Sequence, residues 1–313
     1  MKTSFLIWIL CLTSFLAYSQ KTTEEFYWNQ ALEFIQQGKE EKAIEAVNMA
    51  ISYNQDELKY HLFKANAYNQ MGNMGQTLRT LNLISDQFSE SVIFFQFRAD
   101  FYFDYNYFEM AERDYSRALE LSQADSVSKH LYVQRGQSRY YQVDYEGAYE
   151  DYRASYMIDS QNYALLVHMA VTTGELDYQT ETIEILTRAI EIDSINLSAY
   201  HNLGFCLQRW ERNEEAIPYF NKILERQEDA YTYSNRSYSR LKTGDVKGAM
   251  KDVQKSIELD PNNCFAYRNR GLIYLEKGKN EKACQDFEYS VALGYTRKFG
   301  PEVEELIQAH CQQ

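Results

Sequence analysis

A small residue recurs along this chain at Ala31, Ala65, Ala99, Gly136, Ala170, Gly204, Ser237 and Gly271, in steps of 34, 34, 37, 34, 34, 33 and 34. Twelve residues after each comes a second marker: Ala43, Thr77, Ala111, Ala148, Thr182, Ala216, Ala249 and Ala283. Four residues further on stands a larger one, such as Tyr115, Tyr152, Phe220 or Phe287. A period of this length is one supersecondary unit, and the spacing fits two helices whose close crossing admits only a small side chain while a large neighbour fills the remaining space. Gly38, Gly72, Gly244 and Gly278 sit where the first helix of a unit must stop and reverse, a role for residues that accept a left-handed conformation. The three prolines leave the helices uninterrupted, with Pro218 expected early in its helix, where a missing amide hydrogen costs little. The period therefore predicts an all-α chain of about eight stacked helical hairpins.

The residues resemble the tetratricopeptide repeat. The sixth unit reads Tyr200-x2-Leu203-Gly204-x2-Leu207 and then Ala216-x3-Phe220, and the eighth reads Tyr267-x2-Arg270-Gly271-x2-Tyr274 and then Ala283-x3-Phe287. Pro261 closes the seventh unit where the family expects proline, whereas the other units depart from that position. The pattern is weakest in the second and fifth units, where Thr77 and Thr182 replace the small alanine of the second helix. The resemblance implies a right-handed α-solenoid of units 24–57, 58–91, 92–125, 129–162, 163–196, 197–229, 230–263 and 264–297. Residues 298–313 read as a C-terminal capping helix: Gly300 and Pro301 start it, Glu302, Glu304 and Glu305 occupy its first turn, and Val303, Leu306, Ile307 and His310 share one face. Residues 1–19 read as a secretory signal peptide, with Lys2, an apolar run from Phe5 to Leu12 and Ala17-Tyr18-Ser19 before a cut after Ser19. The alternative is a membrane anchor, but the run is shorter than the roughly 20 residues a spanning helix needs.

The formal net charge of −13 is spread along the chain without a basic block, which argues against nucleic acid and against an anionic membrane surface as partners. Most of the 27 tyrosines are expected in the packing positions of the repeats, as at Tyr68, Tyr102, Tyr115, Tyr152 and Tyr274. Arg98, Arg135, Arg236 and Arg270 precede the small residue in the third, fourth, seventh and eighth units. Sixteen residues later the same units carry Asp114, Asp151, Asp252 and Asp286, while the other four units have neither partner. Antiparallel helices bring these positions opposite each other, so each pair is expected to form a half-buried bridge inside its hairpin; arginines reaching a ligand are the alternative. In an oxidising compartment Cys284 is expected to pair with Cys311 and pin the capping helix, with free buried thiols as the alternative; Cys206 and Cys264 are left unpaired.

In the family the first helices line a concave groove, and Asn202, Asn235 and Asn269 occupy one first-helix position in three successive repeats, as Asn29 does in the first. A side-chain amide both donates and accepts, so such a row can hold the backbone of an extended peptide. His201, Arg209, Tyr238, Lys242, Phe265 and Arg268 fall at positions that face the groove in the family, a locally basic and aromatic patch suited to an acidic or carboxyl-terminal segment. The clamp that some family members use on chaperone tails is not supplied: Leu62 stands before Asn66 where lysine is wanted, and Phe265 and Asn269 stand where lysine and arginine should be.

No HExxH, CxxC, glycine-rich phosphate loop or GxSxG occurs, and His61, His130, His168, His201 and His310 lie in different repeats without ligand spacing. The chain is therefore expected to be non-enzymatic, with no cofactor, no metal and no membrane span after signal cleavage. The expected function is a protein- or peptide-binding scaffold or adaptor of the bacterial cell envelope, periplasmic or secreted. A glycan-binding module using groove tyrosines and Trp28, or a self-associating envelope scaffold, are the alternatives.

Overall fold

The computed structural model describes residues 22–311, so the expected signal peptide lies outside the described residues. Among the described residues there are eighteen helices and no strand. Eight hairpins follow one another: α1 (22–36) with α2 (Glu40–Tyr53), α3 (Leu58–Gln70) with α4 (Met74–Leu83), α5 (Val92–Asp104) with α6 (Phe108–Leu121), α7 (Asp125–Tyr141) with α8 (Tyr145–Ile158), α9 (Tyr163–Glu175) with α10 (Gln179–Ile192), α11 (Ser198–Arg209) with α12 (Asn213–Leu224), α13 (Ala230–Lys242) with α14 (Val246–Leu259), and α15 (Cys264–Glu276) with α16 (Asn280–Ala292). Two further helices end the chain, α17 (Tyr295–Phe299) and α18 (Glu302–His310). The helices form two compact units divided between Asp151 and Tyr152.

The periodic small residues are where helices meet most closely. Ala31, Ala65, Ala99, Ala170, Gly204 and Ser237 are buried, and a Cβ added to Gly204 would lie 2.7 Å from the ring of Phe220. In the two atypical repeats the threonines find hydrogen bonds for their hydroxyls: Thr77 donates to the Ala65 carbonyl, and Thr182 to Thr173 and to the Tyr178 carbonyl. A buried hydroxyl that finds such partners costs little, which is how these repeats keep the geometry without the alanine.

Every hairpin reverses through one residue of positive φ at the same place in the repeat. Gly38, Gly72, Gly244 and Gly278 take it as expected, and Asn106, Val143, Asp177 and Glu211 take it in the other four, at φ 58–66°. Two boundaries differ from the sequence reading. The extra residues behind the step of 37 are absorbed as an additional N-terminal turn of α7, which starts at Asp125 rather than 129. Residues 295–299 form a separate short helix, α17, ahead of α18. Two residues differ as well. Pro218 is the sixth residue of α12, one turn too deep to use an amide that would be free anyway, so the Glu214 carbonyl loses its helical partner at an exposed position. His310 is exposed, because α18 ends there and only Val303, Leu306 and Ile307 join the apolar cluster.

Candidate functional site

Within the second unit the first helices pack side by side, α9 on α11, α11 on α13 and α13 on α15, and each second helix contacts the first helix of the next repeat. The first helices therefore make the inner row of that unit. Its rigidity comes partly from charge. Arg236 donates from Nε and Nη2 to the two Asp252 oxygens at 2.8 and 2.7 Å, and its Nη1 reaches Asn221 of the preceding repeat at 2.8 Å. Arg270 forks onto Asp286 at 2.7 Å through both nitrogens. In the first unit Arg98 forks onto Asp114 and Arg135 onto Asp151, with contacts of 2.6–2.9 Å, and their third nitrogens bond Ser85 and Ser116. Each arginine is thus spent on structure: it ties the two helices of its hairpin, and three of the four also reach the repeat before. Sequence reasoning missed a second arginine in two of these sites, Arg139 on Asp151 at 3.2 Å and Arg240 on Asp252 at 2.8 Å. The signal was the Arg-x3-Arg spacing, one helical turn.

On the inner row, Asn202 lines a cleft of about 540 Å³ with His201, Val167, Tyr231 and Thr232. Burial pushes the His201 imidazole below its ordinary pKa, against the pull of Asp229 and Asn202 in the other direction. Asn235 is half-buried, and its backbone carbonyl accepts from Gln208 Nε2 at 2.7 Å, which leaves the side-chain amide unspent among the described residues. Asn269 departs from the row. It is buried, its Nδ2 donates to the Ser234 carbonyl and hydroxyl, and its Oδ1 accepts from Arg268, so the amide is consumed inside the fold. Asn29 is exposed on α1, in the other unit.

The basic and aromatic patch is divided in the same way. Arg209 is exposed and paired with Glu175 at 3.2 Å. Tyr238 has two cations over its ring, with Lys242 Nζ 5.4 Å and the Arg268 guanidinium 4.7 Å from its centre. Phe265 is covered by Phe299 and Tyr295, with ring centres 4.4 and 5.4 Å away, and Arg268 pairs with Glu302. Two exposed aromatics on these helices went unremarked in the sequence, Phe205 and Tyr231, 47% and 51% exposed. The period carried the signal, since Phe205 precedes Tyr238 by 33 residues and Tyr231 precedes Phe265 by 34.

Cys284 and Cys311 are joined in a disulfide that ties the end of α18 to the start of α16; Cys206 and Cys264 are buried free thiols. Burial pushes the Cys206 thiol up to about 11. Among the described residues no group of three acidic, histidine or cysteine side chains is placed to hold a metal, and no helix is long and apolar enough to cross a membrane.

Matches to the tetratricopeptide repeat family fall on residues 24–57, 197–229, 230–263 and 253–285. Over 291 residues the chain is 20% identical to a repeat-containing protein of Methanocaldococcus jannaschii, covering 87% of this chain and 51% of that one. Over 98 residues it is 31% identical to the Hsp70-Hsp90 organizing protein of Triticum aestivum, covering 31% of this chain and 16% of that protein. The chain thus spans about half the length of the first and a sixth of the second. Among solved structures, the C-terminal part of a repeat protein from Cytophaga hutchinsonii superposes with a TM-score of 0.60 at 16% identity, covering 77% of this chain and 98% of that one.

Proposed function

Because the chain is a tetratricopeptide repeat protein, we propose that it is a non-enzymatic adaptor of the bacterial cell envelope that holds an extended segment of a protein partner on the first-helix face of repeats six and seven. The fold itself is a protein-interaction scaffold in general. The observation that carries the finer reading is the inner row of the second unit, where Phe205 of α11 and Tyr231 of α13 present exposed rings and Tyr231 stands one helical turn before Asn235, whose side-chain amide is unspent among the described residues. Aromatic rings give contact area at low entropic cost, and a free amide satisfies a peptide group without regard to the side chain it carries. Export is supported by the sequence of residues 1–19 and by the Cys284–Cys311 bond, since disulfides persist in oxidising compartments.

The test is affinity capture from the organism's own envelope fraction with the wild-type chain beside an Asn202→Ala/Asn235→Ala/Phe205→Ala/Tyr231→Ala variant. A partner that only the wild type retains supports the proposal. Partners retained equally by both would move the site off this face. N-terminal sequencing of the exported protein is expected to begin at Gln20.

A further inference from the structure

The C-terminal segment does more than cover the last repeat. Val303, Leu306 and Ile307 of α18 close the apolar end with Phe287 and Tyr295, which is all that capping requires. Two other side chains of the segment turn instead onto the patch of Tyr238, Lys242, Phe265 and Arg268. The Phe299 ring lies on Phe265, and the Glu302 carboxylate accepts from Arg268 through one oxygen and from the Tyr295 hydroxyl at 2.6 Å through the other. The Arg268 guanidinium in turn lies over the Tyr238 ring, with only 13% of its side chain exposed. Burial works against the Glu302 charge, but Arg268, with a smaller contribution from Lys242, holds the carboxyl below its usual range. The contacts are those of a bound ligand: a ring packed at a tilt against a ring and, three residues on, a carboxylate on a buried cation.

We infer that the Tyr238, Lys242, Phe265 and Arg268 surface is a binding site for a peptide segment with an aromatic residue three positions before a carboxylate, and that the chain's own Phe299–Glu302 occupies it as a resident ligand. The Cys284–Cys311 bond tethers this occupant by its far end. A tether of this kind raises the local concentration of the segment to about millimolar, so a partner with the same chemistry gains access only when the tether or the internal contacts are weakened. This inference rests on the first-helix face being a peptide-binding surface, but its site is shifted along that face: it spans α13 and α15, whereas Asn202 and Asn235 lie on α11 and α13.

The test uses the full chain carrying Cys284→Ser, Cys311→Ser, Phe299→Ala and Glu302→Gln, which removes the two occupying side chains while keeping Tyr295, Val303, Leu306 and Ile307 of the cap. A fluorescein-labelled peptide of residues 295–310 is titrated and read by anisotropy, with circular dichroism confirming the helical fold. Saturable binding is expected, weakened at least about tenfold when the peptide carries Glu302→Gln or the chain carries Arg268→Ala, because the charge pair is hydrogen-bonded and its cation is buried. No saturable binding by a folded chain, or equal binding of the Glu302→Gln peptide, overturns the inference. Should the opened chain lose its helical signal, the peptide is instead titrated to about millimolar against the Cys284→Ser/Cys311→Ser chain, where it competes with the tethered segment. Binding selective for the Glu302 carboxylate is again required, and its absence is again fatal. The probe is this chain's own segment, so failure here leaves the envelope-capture result intact, and failure there leaves this one intact.

Discussion

At the scale of single residues, the turn positions show where sequence was readable and where it was not. Four turns carry glycine and were legible, because glycine is the residue that accepts a left-handed backbone without strain. Val143 takes the same conformation at φ 66°, and nothing in a β-branched residue announces it. Val143→Gly is therefore expected to stabilise the chain by about 1 kcal/mol, seen as a raised denaturant midpoint, because the left-handed penalty for a side chain of this kind is about 1–2 kcal/mol and glycine returns part of that as unfolded-state entropy. Asp252 lies at the other extreme, nearly buried beneath two arginines. Asp252→Ala is expected to cost about 3–5 kcal/mol in urea unfolding, whereas Asp252→Leu combined with Arg236→Met and Arg240→Met should cost much less, since the damage lies in the orphaned charges. Two half-buried histidines give a pH dependence. Burial holds His168 and His201 below the unfolded value of 6.5, so the unfolded chain binds more protons and stability rises with pH. Their contribution is complete above about pH 6.5 and is lost as pH falls below it. A His168→Gln/His201→Gln variant should flatten the stability curve between about pH 5.5 and 6.5.

At the scale of helices, the Arg–Asp spacing of sixteen could be read from the sequence because hairpin geometry alone sets which positions face each other. The fate of Asn269, Phe265 and Arg268 could not, because the groups that consume them come from neighbouring elements. Glu302 stands 34 residues after Arg268, at the place a ninth repeat would continue, and the sequence showed the register but not the contact. The disulfide makes the last hairpin and α18 one element. Cys311→Ser is expected to lower its stability by about 3.5 kcal/mol, the chain-entropy value for a sequence separation of 27. Hydrogen exchange should place the loss in α16 to α18 and leave the amides of α9 and α11 unchanged; a loss spread over the whole second unit would mean that the cap supports more than its own repeat.

At the scale of the molecule, the described residues share no single core. Apolar clusters succeed one another along it, each made mostly by a hairpin and its neighbours. Fold class was legible because such a design repeats its instructions, while binding specificity rests on a few side chains, such as Phe205 and Tyr231, that the repeat does not dictate. The same design separates what must be conserved in length from what can vary. The turn inside each hairpin is fixed to the residue, eight times over, whereas the joint ahead of α7 has taken up extra residues as one more helical turn. Growth by insertion is thus confined to the seams between repeats. A short flexible tag spliced in after Gln123 should leave the melting temperature unchanged, and the same tag beside Asn106 should lower it. The molecule behaves as a string of beads that lengthens at the thread and never within a bead.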